Sequence, residues 1–159
     1  MKTIFIEDEL LIADPCYIDG DDSLDELREY SLGVIIPNCY GMWEATVKFE
    51  DNLVSKLILQ KVDTVLNGEE IPELINSNGV DSGQMFAGDI NNFPLDYKNL
   101  LKQYEDSNGK WVDRPFFKFN NGVVSSTGFG DGSYPVLLWR DKEGDPMKVV
   151  VEFMSDEYD

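Results

Sequence analysis

The sequence predicts an α+β fold, β-rich, with a mostly antiparallel, bent sheet and two or three short helices. Three observations predict it. "WEATVKFE" (Trp43–Glu50) alternates apolar and polar residues, the period of a half-buried strand. From Pro115 onward, short apolar runs are separated by Asn121-Gly122, a glycine-rich stretch and "RDKEGD", the pattern of strands joined by tight turns. Helical spacing is confined to short segments.

Taken in chain order, "KTIFI" and "LLIAD" read as two short strands about a Glu-Asp-Glu turn. "DSLDELREYSL" reads as a helix, with Ser23 as N-cap, Glu26 completing a capping box, Leu24 and Leu27 at helical spacing, and Gly33 ending it. In "WEATVKFE", Trp43, Ala45, Val47 and Phe49 share one face. Asp51-Asn52 then turns into "LVSKLILQKV", the expected hairpin partner. Asn67-Gly68 and Asn78-Gly79 are turn signals bracketing "EEIPELINS", which suggests one short helix from about Pro72. "YKNLLKQY" places Tyr97, Leu100, Leu101 and Tyr104 on one helical face, and Asn108-Gly109 closes it. After Pro115 come "FFKF", "VVSST", "PVLLW" and "KVVVEF"; in the last strand Met147, Val149, Val151 and Phe153 face one side.

Length and composition set the frame. At 159 residues, 42% of them hydrophobic and 19 aromatic (9 Phe, 7 Tyr, 3 Trp), the chain suits one packed domain, expected over 1–154, with 155–159 as an acidic tail. No apolar run approaches the ~20 residues of a membrane span, and Glu7, Asp8 and Glu9 interrupt the N-terminal apolar run, unlike a secretory signal. Cys16 and Cys39 are read as reduced, small buried side chains, and the expected location is the cytoplasm.

Charge and missing residue types narrow the chemistry. Thirty-one acids against 13 bases give a net charge of −18, which repels phosphate backbones and anionic lipid and attracts basic partners. Direct nucleic-acid or membrane binding is therefore not expected. The chain has no histidine, which removes Ser-His and Cys-His nucleophiles and histidine-ligated metals. Carboxylate, lysine, tyrosine and backbone chemistry remain, and no cofactor is implied.

"SSTGFGDGSYPV" (Ser125–Val136) is the most distinctive stretch, placing Gly128, Gly130 and Gly132 around Asp131 ahead of Tyr134. A dinucleotide loop would open a helix, whereas a strand follows here, and Asp131 would repel phosphate. The expected role is a turn in which glycines permit positive φ and Asp131 accepts hydrogen bonds from the loop's amides. Asp14, before Pro15, and Asp81, before Ser82-Gly83, likewise sit at strand ends beside turn formers. "DGDDS" fails as a calcium loop, because Leu24 stands where its glycine belongs.

These segments carry a resemblance. Asp14-Pro15, Val80-Asp81-Ser82-Gly83, Ser125-Ser126 with Gly130-Asp131-Gly132-Ser133-Tyr134-Pro135, Arg140-Asp141 with Gly144, and a valine-rich strand to Phe153 occur in this order. The chain resembles an uncharacterised family of bacterial and phage proteins known only as a domain of unknown function. That family shares an early Asp-Pro, a Val-Asp-x-Gly in the middle and a late Gly-Asp-Gly-x-Tyr-Pro. The resemblance implies a shared, mostly β fold and no established activity.

Three functions follow as expectations. The first is a non-catalytic acidic protein acting through a protein–protein surface, such as an inhibitor or immunity-type protein for a basic, nucleic-acid-handling partner. Its candidate contacts are Glu7, Asp8, Glu9, Asp19, Asp21, Asp22, Asp25 and the acidic tail. The second is a carboxylate enzyme or divalent-metal protein gathering Asp14, Asp81 and Asp131. The third is a structural component of a larger, phage-type assembly, favoured if Tyr40, Trp43 or Trp139 form an exposed aromatic surface. Binding rather than catalysis is the reading the sequence favours.

Overall fold

A computed structural model describes residues 1–20 and 23–154. Its elements run β1 (Lys2–Ile6), β2 (Leu10–Ala13), α1 (Ser23–Glu29), β3 (Val34–Ile36), β4 (Gly41–Glu50), β5 (Leu53–Lys61), β6 (Glu73–Val80), β7 (Gln84–Asp89), α2 (Tyr97–Lys102), β8 (Phe116–Lys118), β9 (Gly122–Ser126), β10 (Gly132–Arg140) and β11 (Pro146–Glu152). The strands form two antiparallel sheets. One has six strands in the order β1-β4-β5-β11-β10-β6, the other five in the order β3-β2-β7-β9-β8. The β-rich class expected from the alternating patterns holds. The single bent sheet does not: it resolves into two stacked sheets.

The sheets pack face to face because each contributes an apolar face to one core. Trp43, Ala45, Leu57, Leu59, Val136, Val149 and Val151 come from the six-stranded sheet, and Leu10, Ile12, Met85, Ala87 and Val123 from the five-stranded one. Trp43 is fully buried within it, and its indole N–H donates to Cys39 O at 2.8 Å, so its one polar group stays paired. Alternate residues of the five-stranded sheet, Leu11, Ala13, Phe86, Phe117 and Val124, face the other way. There they meet Leu27 of α1 and Leu95, Leu100 and Tyr104 in and around α2. The result is three layers, with the two short helices on one outer face. Among the described residues, no helix is long and apolar enough to cross a membrane.

Several local expectations change in the folded chain. β1 and β2 are strands as expected, but the Glu-Asp-Glu turn passes the chain from the six-stranded to the five-stranded sheet. Asp51 and Asn52 both take positive φ (52° and 66°) and close the β4–β5 hairpin. The register shifts between Lys48 and Phe49, with Ser55 of β5 as the extra residue, and Phe49, beside the hairpin turn, is 55% exposed instead of buried with the Trp43 face. "EEIPELINS" is not a helix. From Glu73 it is strand β6, and Asn78-Gly79 lies within that strand rather than at a turn. Pairing with β10 and polar tertiary contacts outweigh the local signals: Asn78 Nδ2 donates to Ile12 O (3.0 Å), and Asn76 Nδ2 to Ser31 O (3.0 Å) and Gly33 O (3.2 Å).

α1 is ended by Ser31 at φ 54°, with Leu32 N–H donating to Leu27 O at 3.0 Å. Gly33 serves a different need, since a Cβ there would lie 2.7 Å from Ala13 Cβ and 2.8 Å from Ile12 O. α2 is shorter than expected and stops before Tyr104, with Leu101 partly exposed at 37%. Residues 21–22 and the Ser23 side chain, on which the expected capping box rests, lie outside the described residues. So do residues 155–159.

Candidate functional site

Asp14 is fully buried at the end of β2 and meets four donors. Its Oδ1 accepts from Cys16 N (2.9 Å) and Ser82 Oγ (2.6 Å), and its Oδ2 from Asp81 N (2.7 Å) and Ser82 N (2.8 Å). The carboxylate thereby fastens the Pro15–Tyr17 3-10 turn to the turn between β6 and β7. The Tyr17 hydroxyl donates to the Asp81 carboxylate across the same junction. Burial, and then this hydrogen bond to Asp81, hold the phenol well above its ordinary ionisation range. Burial and the adjacent Asp14 likewise push the Cys16 thiol up, and burial pushes Cys39 up to about 12. Both cysteines are free; Cys39 is buried as expected, Cys16 only half-buried, and at neutral pH both are protonated thiols, which are poor nucleophiles.

The glycine stretch connects β9 in one sheet to β10 in the other. Thr127 Oγ donates to Gly130 O (2.9 Å), Gly130 N to Thr127 O (3.1 Å) and Tyr134 OH to Gly130 O (2.7 Å). Gly128 (φ 62°) and Gly130 (φ 106°) take backbone angles that favour glycine. The loop is thus an organised turn, as the sequence suggested, but its organisers are Thr127 and Tyr134. Asp131, Gly132 and Phe129 are exposed, Phe129 at 80%. A Cβ on Gly83 would sit 3.9 Å from Gly130 Cα, so this loop and the β6–β7 turn touch.

Asp14 and Asp81 therefore share one junction, with Asp131 on the neighbouring loop. The three do not place their carboxylate oxygens within 4.8 Å of one another. Among the described residues, the group that does so is Asp141, Glu143 and Asp145 in the β10–β11 turn. Backbone bonding accounts for that turn, because Asp141 Oδ1 accepts from Glu143 N and Asp145 N, both at 2.9 Å.

A cleft of about 230 Å³ opens beside the Asp14–Ser82 junction, at one end of the five-stranded sheet on its helix side. Gln84 and Ser126, paired in register as the first residue of β7 and the last of β9, form its floor, with Ser82 and Gly83 from the β6–β7 turn at one edge. Tyr97 and Leu101 of α2 make one wall. Tyr104, Trp111 and Asp113 make the other. A tight hairpin places Trp111: Asp106 Oδ1 accepts from Asn108 N (2.8 Å) and Lys110 N (3.0 Å), and Glu105 bridges to Trp111. The Trp111 indole, 66% exposed, lies flat on Tyr104 with ring centroids 4.6 Å apart and planes 10° from parallel.

The cleft holds an unpaired polar group. Gln84 is 6% exposed, and its carboxamide Oε1 has no hydrogen-bond donor. Burial pushes Tyr104 up to about 12 and raises Tyr97, so both phenols are neutral over the physiological range. The nearby carboxylates include Asp113 beside Tyr104, and Asp14 and Asp19 toward Tyr97.

This cleft has no counterpart among the expectations from the sequence. Tyr97, Leu101 and Tyr104 were legible only as a helix's apolar face, and Trp111 and Asp113 only as loop residues. One signal was available: Gln84 is a lone amide opening the otherwise apolar run "QMFAG". Of the acids expected as a contact surface, Glu7, Asp8, Asp19 and Asp25 are exposed, and Glu9 is half-buried. Asn91 Nδ2 donates to Glu7 at 2.8 Å. Asp21 and Asp22 lie outside the described residues.

The matched family can now be placed on this geometry. Residues 81–151 match the model of a family described as proteins of unknown function, DUF4241. The resemblance to an uncharacterised family is supported over that segment. No curated protein and no solved structure matches the chain. The DUF4241 segment starts at Asp81 and runs through β7, α2 and β8 to β10 almost to the end of β11, so it contains every residue that lines the cleft. Asp14, which anchors the cleft's edge through Ser82, precedes it.

Proposed function

We propose that the protein acts by binding rather than by catalysis, as an acidic module that engages a basic protein partner. An inhibitor or immunity-type role against a nucleic-acid-handling enzyme, in the cytoplasm of a bacterial or phage-infected cell, fits this reading. The observation that carries it is the net charge of −18 on a chain with no histidine. A field of that sign steers basic surfaces toward the protein and nucleic acid away from it. Two features support it. Asp14, the most buried of the candidate catalytic carboxylates, is fully occupied in joining two turns. Cys16 and Cys39 are held as protonated thiols.

The test is capture of partners from a host lysate, followed by affinity measurements at about 0.05 M and 0.5 M NaCl, where screening lengths differ roughly threefold. The expected result is a basic partner whose affinity falls steeply with salt. A partner of neutral charge, or an affinity indifferent to salt, contradicts the reading.

A further inference from the structure

We propose that the cleft between β7, α2 and the Trp111 hairpin receives the guanidinium group of an arginine side chain. At about 230 Å³ the cleft is smaller than the ~300 Å³ at which pockets for whole small-molecule ligands begin, yet far larger than the ~30 Å³ of one water. It suits the end of a side chain. Its chemistry is that of an acceptor: the Gln84 oxygen has no donor, and Asp113 sets a carboxylate on the rim. A buried amide oxygen left unpaired is costly, and a ligand N–H removes that cost. The Trp111 indole, stacked on the buried Tyr104 ring and 66% exposed, offers a flat aromatic face, on which a planar cation packs better than an ammonium. Anionic ligands are disfavoured by Asp113 and by the charge of the whole chain. The protein's own guanidinium nearby, Arg114, is engaged elsewhere. It donates to Gln103 O at 2.9 Å and lies over Phe117, 4.6 Å from the ring centroid.

The cleft's preference for guanidinium stands independently; presentation of that arginine by a protein rests on the binding reading above. Calorimetric titration of the full chain separates the two. The probes are N-acetyl-arginine amide, N-acetyl-lysine amide, and a short basic peptide in arginine and lysine versions. The expected result is saturable binding of the arginine amide, about tenfold or more tighter than the lysine amide, weakened about tenfold by Gln84→Leu and by Trp111→Ala. Trp111 is exposed, so its variant keeps the test interpretable if Gln84→Leu folds poorly. Equal affinity for arginine and lysine, or wild-type affinity in both variants, overturns the cleft assignment. If the basic peptides then still bind in a salt-dependent way, the acidic-surface reading survives it. Binding of the arginine amide without binding of either peptide at any salt supports the cleft and removes the protein partner. No binding of any probe overturns both.

Discussion

The two faces of the five-stranded sheet use the same strands to different ends. On the face toward the six-stranded sheet, Met85, Ala87 and Val123 enter a continuous apolar core around Trp43. On the opposite face, Phe86 and Val124 enter a second apolar cluster, but its end is polar: Gln84 and Ser126 stand where the next apolar pair would sit, under aromatic walls and an open mouth. Each face buries one unpaired polar atom, Ser125 Oγ beside Met85 and Val123 on the core face and Gln84 Oε1 on the other. The Ser125 hydroxyl is fully buried, whereas Gln84 borders an open cleft where a ligand donor can reach its oxygen.

Substitutions on the two faces sharpen or break this contrast. The largest effect is expected for Trp43→Ala, which opens a cavity between the sheets and lowers the unfolding free energy by about 4 kcal/mol in urea denaturation. A loss below about 1 kcal/mol would mean that the inter-sheet core is not what holds the fold. Asp14→Ala comes next, since it strands four partly buried donors; about 3 kcal/mol is expected, with Asp14→Asn milder. Gln84→Leu removes the unpaired oxygen together with the carboxamide contact to Tyr104, so stability should change by less than about 1 kcal/mol in the same denaturation series. A loss comparable to that of Trp43→Ala would make the cleft floor a structural element like the core. Asp131→Asn, on an exposed loop organised by other residues, should stay within about 0.5 kcal/mol, with or without added Mg²⁺ or Ca²⁺. A cation-specific rise in melting temperature that this variant abolishes would instead restore the carboxylate-metal reading.

The contrast also has a pH signature. Tyr104 ionises at about 12 in the folded chain against an ordinary value of 10.0, so above pH 10 the unfolded chain binds fewer protons at this position than the folded one. Its contribution is fully present below pH 10 and is lost as pH rises through about 12. The expected outcome is a fall in unfolding free energy across that window that is shallower in Tyr104→Phe. Identical slopes would place Tyr104 in water rather than in the cleft wall.

Much of the fold was legible in the sequence because it rests on local signals. The alternation of "WEATVKFE" and "KVVVEF" and the Asp51-Asn52 turn each specify a strand or hairpin without reference to the rest of the chain. What the sequence hid depends on tertiary contact. β6 looked helical because its asparagines satisfy the backbone of β2 and of the turn after α1, partners remote in sequence. Phe49 looked buried because it continues the Trp43–Val47 alternation, but it lies beside the hairpin turn, where it is 55% exposed. Of the candidate site residues, Asp14 and Asp81 were found as strand-end acids, and the fold joins them through Ser82. The cleft was not found, because its walls come from three separated segments and its decisive residue is one glutamine within a strand.

The account turns on whether the cleft or the general acidic surface makes the contact, and mapping of backbone and side-chain amide NMR shifts answers this most directly. On titration with N-acetyl-arginine amide, the account predicts that the largest shifts fall on the Gln84 carboxamide, Tyr97, Tyr104 and the Trp111 indole. Shifts confined to Glu7–Glu9, Asp19 and Asp25, with the Gln84 carboxamide unmoved, would contradict it.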